Sequence, residues 1–428
     1  MATDRSESAG PSPAAAAPLM ASRPEEVGLS SQRLRRIGEA FGADAQLGKL
    51  PGAVVLVARR GKVAYFEAIG VQDPDRRTPM QRDSLFRIAS MTKPVTAVAA
   101  LMLMEEGRFA LSDPVSRHLP ALGELQVGIE LTDPATGERT LRMEPVRRQM
   151  TVQDLFRHTS GLTYGIFGDS LCQQMYRDGR LLDPRQSNAE MVKKLAALPL
   201  MCQPGTKFEY GMSTDVLGAL VETLSGTNLN QFFNERIFAP LGMQDTGFLL
   251  TEAQRIRLAL PNNDPASGVT AAKYVYDPTR APAWFSGGGG LFSSAGDYAR
   301  FCQMLLNGGE LDGVRLLSHK NIELMTSEHL PPDVGFGTFT PELGTSAPLP
   351  EYGQGYGLCV GVRKERGRSP VPGSVGDFYW GGILGTYFWV DPTEQLIAIL
   401  MLQETDTKKR ARYRPLLRNL VYPSLQKL

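Results

Sequence analysis

From Val95 to Met104 the chain reads Val-Thr-Ala-Val-Ala-Ala-Leu-Met-Leu-Met, and Gly107 offers a stop just beyond it. A helix that is apolar on every side has no face to give to water, so it must run through a core. Whatever opens that helix enters the interior with it. The opening residues are Ser90-Met-Thr-Lys93. Positions i and i+3 share a helix face, so the hydroxyl and the amine can meet. Ser90 would stand at the helix N-terminus, where backbone N–H groups and the dipole favour negative charge. A serine nucleophile with a lysine as general base fits that placement, and such chemistry requires the amine in its neutral form. The pair alone is a short motif. Ser424-Leu-Gln-Lys427 repeats the spacing with no helix after it, so the surroundings must carry the argument.

The 428 residues suffice for two or three domain-sized units, and the net charge of +1 gives no electrostatic case for nucleic acid or an anionic membrane. The basic clusters at 147–148 and 408–412 read as solvated surface. Cys172, Cys202, Cys302 and Cys359 are scattered, with no Cys-x-x-Cys, and the histidines form no His-Glu-x-x-His. No metal or other cofactor is therefore expected. Residues 1–25, with early acids and prolines, read as a flexible arm rather than a signal peptide. No apolar stretch is long enough to span a bilayer. The expectation is a cytoplasmic protein acting on a small molecule, with monomer and homodimer both open.

Ser30 caps an expected helix over 31–41. Gly52–Ala58 and Lys62–Ile69 read as strands joined by the turn Arg60-Gly61. Helical pieces over 152–158, 189–198, 215–224 and 229–237 alternate with loops, and strand signals there are few. Strands return at 356–363, 385–390 and 395–402, followed by a helix over 408–421. Strands at both ends around a helical middle imply one antiparallel sheet built from distant segments, an α/β (α+β) architecture. The expected division is 26–120 with 285–428 as the α/β domain, and 121–284 as a mainly helical one.

Three further segments bear on chemistry. Tyr210 precedes a helix start, where a phenol between Ser90 and Lys93 could relay a proton; taken alone, a packed core tyrosine is the better reading of this residue. The run Gly287–Gly290 leads into a capped helix but lacks the Lys-Ser/Thr of a phosphate loop. Trp380-Gly-Gly-Ile383 enters a late strand with little side chain, which suits close approach of an acyl group. There the Ile383 N–H could join that of Ser90 as an oxyanion hole, although a glycine-rich edge or bulge would read the same. Tyr164, Phe167, Tyr176, Trp284, Phe285, Trp380 and Tyr387 are candidate pocket aromatics, although core packing accounts for any single one of them equally well.

In order, Ser90-Met-Thr-Lys93, His158-Thr-Ser-Gly-Leu162, Tyr210 with Asp215-Val-Leu-Gly218, Gly287–Ser294 and Trp380-Gly-Gly382 resemble the serine β-lactamase and penicillin-binding-protein superfamily. The match looks closest to the β-lactamase-like family VIII carboxylesterases and covers residues 28 to 425. The resemblance implies an acylated Ser90, Lys93 as its base, Tyr210 as proton shuttle, and a structural His158. It also implies two departures. Met212 replaces an asparagine that class C lactamases aim at the substrate amide, and Trp380-Gly381-Gly382 stands where they carry Lys-Thr-Gly. Less polar groups at those places weaken recognition of a carboxylate and favour a neutral acyl group, hence carboxylic-ester hydrolysis. An acyltransferase or a weak β-lactamase of the same superfamily remains the alternative. A non-catalytic scaffold or sensor ranks lower because the three catalytic residues are intact. No Gly-x-Ser-x-Gly elbow occurs, which counts against an α/β-hydrolase.

Overall fold

The computed structural model describes residues 18–261, 278 and 280–426. Most of the expected arm and Lys427 of the second Ser-x-x-Lys lie outside the described residues. The last part of the arm is not free chain. Met20 accepts from the Val63 N–H at 2.8 Å, and the Ser22 N–H donates to Val63 at 2.9 Å, so this segment extends the sheet.

Eight strands form the main sheet: β1 (Gly52–Arg59), β2 (Lys62–Asp73), β3 (Thr78–Pro79), β4 (Gln354–Tyr356), β5 (Gly361–Arg363), β6 (Phe378–Gly381), β7 (Tyr387–Asp391) and β8 (Leu396–Leu402). Their order is β4-β5-β6-β7-β8-β1-β2-β3, antiparallel at every step. The two ends of the chain meet where β1 pairs with β8, from Ala53 opposite Leu402 to Arg59 opposite Leu396. Arg60 and Gly61 both take positive φ, 55° and 77°, as a two-residue hairpin turn requires.

Alternation decides which face each residue serves. Val54, Leu56 and Ala58 of β1 join Ile397, Ile399 and Met401 of β8 in one apolar cluster; Ala53, Val55 and Val57 join Leu396, Ala398, Leu400 and Leu402 in another. Helix α1 (Ser31–Gln46), capped by Ser30, and the C-terminal helix cover the second face. The apolar cluster of the first face takes in α2 (Thr92–Glu105), α3 (Ser213–Ser225) and α4 (Ala295–Leu306), of which α4 packs on β1 and β8 and α3 packs on α2. Every residue of α2 from Thr92 to Leu103 is buried, as its composition demands. The C-terminal helix is α5 (Thr407–Val421). Among the described residues, no helix is long and apolar enough to cross a membrane.

Two expectations change. The stretch 356–363 is not one strand, because Cys359 takes φ 66° and the chain folds back, pairing β4 with β5. The middle region also holds a β-hairpin, Gln126–Thr132 with Arg139–Pro145. Its outer strand is largely exposed and carries Arg139, Arg142 and Glu144, so no apolar alternation announces it.

Helix α5 is fastened to β5 and β6 by a buried ion triad. Asp377 accepts from Arg363 Nε at 3.0 Å and from Arg418 Nη1 at 2.8 Å, with all three side chains nearly inaccessible. Removing the carboxylate leaves two buried guanidinium groups facing each other. Asp377→Ala is therefore expected to lower the unfolding free energy by about 3–5 kcal/mol in urea denaturation.

Candidate active site

Ser90 sits in the turn Ala89–Met91 that leads directly into α2. Ala89 adopts φ 45°, a left-handed conformation that costs a non-glycine residue energy and is held here by its neighbours. Phe86–Arg87 pairs with Phe292–Ser293, the Ile88 N–H donates to Leu291, and Thr386 Oγ1 donates to Ile88 at 3.1 Å. The strained turn is thus clamped between the glycine-rich run and the late sheet.

Lys93 follows one turn later with no accessible surface. Its Nζ lies 3.3 Å from Ser90 Oγ, 2.7 Å from the Gly288 carbonyl and 3.4 Å from Tyr164 Oη. The expected hydroxyl–amine contact is therefore present. Tyr164, expected to line the substrate pocket, instead bridges Lys93 to the buried Asp215, its Oη being 3.1 Å from Asp215 Oδ2. Asp215 also accepts from Ser286 Oγ at 2.5 Å and from the Gly288 N–H at 3.0 Å. Burial pushes its carboxyl upward, and the Lys93 charge and these donors pull it back. Gly288 accepts from Lys93 through its carbonyl and donates to Asp215 through its N–H, so the carboxylate holds the loop that holds the amine. A Cβ on Gly288 would stand 2.4 Å from Asp215 Oδ2 and 2.8 Å from Tyr164 Oη. That close approach, not phosphate binding, accounts for a glycine in this run.

Tyr210 stands between the short strand Lys207–Phe208 and α3. Its ring centroid is 4.8 Å from Lys93 Nζ, 4.7 Å from the His158 ring and 5.6 Å from Trp380. The His158 segment braces this loop: its carbonyl accepts from the Glu209 N–H, and its Nδ1 accepts from the Gly211 N–H at 3.4 Å. Burial, reinforced by the Lys93 charge, holds the His158 imidazole well below its ordinary range.

A cleft opens at Ser90. Phe167 and Tyr210 come from the middle of the chain, and Trp380, Gly381, Gly382, Ile383 and Arg414 from its end; Phe339, Glu342, Leu343 and Ser346 complete the lining. Phe167 and Phe339 stack at 3.8 Å. A Cβ on Gly382 would lie 2.5 Å from the Ile88 carbonyl, so only a glycine lets this strand end abut the Ser90 turn. Ile383 and Ser90 both line this cleft. Six expected pocket residues, Tyr164, Tyr176, Met212, Trp284, Phe285 and Tyr387, do not line this cleft. Trp284 is 1% exposed and donates its indole N–H to Asn188 Oδ1 at 2.9 Å, and Met212 is equally buried in the apolar core. Both are large apolar side chains that packing draws inward, away from the solvent-lined cleft.

Residues 39–422 match the beta-lactamase family. The chain belongs to that family. Among this beta-lactamase-family protein's relatives, Esterase EstB of Burkholderia gladioli is 30% identical over 412 residues, 90% of this chain and 94% of that enzyme. The structure of EstCE1, described as a hydrolase with promiscuous acyltransferase activity, matches with a TM-score of 0.73 at 26% identity, covering 91% of this chain and 99% of EstCE1. Unliganded Simvastatin Synthase (LovD) from Aspergillus terreus matches with a TM-score of 0.72 at 27% identity, over 92% and 98% of the two chains. The fold is beta-lactamase-like, and the relatives of this protein include both esterases and acyltransferases.

The sequence left three participants unassigned. Asp215 appears there only as part of a helix start, although a carboxylate opening an otherwise apolar helix is a usable signal. The stretch 339–346 has no periodicity to announce a cleft wall. Arg414 is marked only by its four-residue spacing from Arg418.

Two outcomes are expected. Tyr164→Phe keeps the ring but breaks the link between Lys93 and Asp215, and should lower kcat for a p-nitrophenyl ester about tenfold with an unchanged melting temperature. His158 is neutral in the folded protein, whereas the unfolded chain binds a proton near pH 6.5. Its contribution to stability is complete above about pH 6.5 and is lost as the pH falls toward the depressed folded pKa, by up to ~1.4 kcal/mol per pH unit. Urea titrations from pH 7 to 5 should show a steeper loss of stability in wild type than in His158→Gln.

Proposed function

We propose that this protein is a serine carboxylesterase of the family VIII type, cleaving small carboxylic esters through an acyl-Ser90 intermediate. The reading is carried by one observation: Ser90 Oγ is 3.3 Å from the Nζ of a wholly buried lysine and opens into a cleft walled by aromatic side chains. Lys93 takes the Ser90 proton as Oγ attacks the ester carbonyl. The N–H groups of Ser90 and Ile383 stabilise the oxyanion. As the tetrahedral intermediate collapses, the C–O bond to the alcohol breaks, and Tyr210 delivers the proton that the leaving oxygen needs. Water then attacks the acyl carbonyl and gives a proton to the Tyr210 phenolate; the bond from the acyl carbon to Oγ breaks, Lys93 returns the proton to Ser90, and the carboxylic acid leaves. The expectation of a neutral acyl group rests on Trp380 and the aromatic walls, since Met212 faces the core.

Acyl transfer is the second reading. EstCE1 is described as having promiscuous acyltransferase activity, and acyltransferase mokF of Monascus pilosus is 31% identical over 310 residues. Both readings share the acyl-enzyme and differ only in whether water or an alcohol reaches it.

With p-nitrophenyl butyrate, wild type should turn over and Ser90→Ala should lose at least about 10³-fold in kcat/KM. Equal rates would exclude the mechanism. Added 1-butanol should yield only a minor share of butyl butyrate; transester as the main product would favour the acyltransferase.

A further inference from the structure

Arg414, on α5, reaches the cleft beside Ser90. Its Nη2 donates to the Gly382 carbonyl at 2.6 Å, while Cζ lies 5.7 Å from the Tyr387 ring centroid. The Gly382 carbonyl also accepts from the Gly385 N–H at 3.0 Å, so residues 382–385 form a tight turn. The Gly382–Ile383 peptide is trans, which places the Ile383 N–H opposite that carbonyl. Two donors therefore fix the back of one peptide plane, and its opposite side carries the N–H of Ile383, a residue that lines the cleft together with Ser90. A Cβ on Gly381 would stand 2.7 Å from Arg414 Cζ. The glycine leaves room for the guanidinium.

We propose that Arg414 is a positioning residue for the oxyanion site: from behind, it orients and polarises the Gly382–Ile383 peptide so that the Ile383 N–H faces the developing negative charge. This rests on the Ser90 acyl-enzyme reading. A hydrogen bond to the carbonyl of a peptide strengthens its N–H as a donor, and a charged donor does so most. Arg414 needs no contact with substrate for this role. The rival role for the same side chain is to bind an anionic group of the substrate directly.

The two roles separate in kinetics. Loss of a direct oxyanion donor costs 10²–10³ in kcat, so a group acting through one peptide should cost about tenfold. Arg414→Gln and Arg414→Met are expected to lower kcat for p-nitrophenyl butyrate by about that factor with KM within about twofold. The affinity for a trifluoromethyl ketone, whose adduct with Ser90 carries the oxyanion, should weaken in parallel. Arg414→Lys, which keeps the charge, should recover part of both losses, and guanidinium chloride should partly restore Arg414→Ala. An unchanged kcat, an effect on KM alone, or a lower kcat with unchanged inhibitor affinity would each overturn the proposal. If Gln and Met variants fail to melt cooperatively, Arg414→Lys decides: a parallel loss of about threefold or more supports the proposal, and wild-type values overturn it. Failure of the underlying reading looks different, because Ser90→Ala would then stay active and the wild type would not bind the ketone at Ser90.

Discussion

The structure depends on one costly placement, an amine with no access to water. Lys93 is carried inside because it belongs to a helix apolar on every side. Leaving such a group without partners would cost several kcal/mol, so the surroundings must meet it with oxygen atoms. They do so from three segments: the Ser90 hydroxyl, the Gly288 carbonyl and the Tyr164 phenol. Asp215 holds the latter two in place from behind. Satisfying the buried amine and assembling the site are the same act of folding. None of these direct partners is a carboxylate.

Backbone proximity is the second theme. Gly288 admits Asp215 and Tyr164, Gly382 admits the Ser90 turn, and Gly211 packs where a Cβ would meet the Leu162 carbonyl at 2.3 Å. Each glycine in the site marks a place where two segments distant in sequence come closer than a side chain allows. The glycine-rich texture that superficially suggests a phosphate loop is therefore the signature of joints between segments.

Much of this was legible in the chain itself. Helix α2 could be read from composition, β1 and β2 from strand-forming runs about a tight turn, and the Ser90–Lys93 contact from helical spacing. The antiparallel sheet joining both ends followed from strands at either terminus. What escaped had no periodic signal. The hairpin over 126–145 is too exposed to alternate, and the bend at Cys359 needs a left-handed residue that composition does not disclose. Tyr164 and Trp284 are both aromatic residues near motifs. Only three-dimensional packing shows that one reaches Lys93 while the other donates to Asn188. Chain-distant partnerships such as Asp215 with Gly288, or Arg414 with Gly382, leave no trace in local sequence.

Family membership supports a serine hydrolase, and in the mechanism proposed for it hydrolysis and transfer are alternative fates of one acyl-serine intermediate. The central claim is that a single hydroxyl is the nucleophile. Intact-mass spectrometry after reaction with a fluorophosphonate, followed by peptide mapping, tests it most directly. The account requires one adduct per chain, on Ser90, with loss of ester hydrolysis in step with labelling. An adduct on another residue that abolishes activity, or full labelling of Ser90 with activity intact, would contradict it.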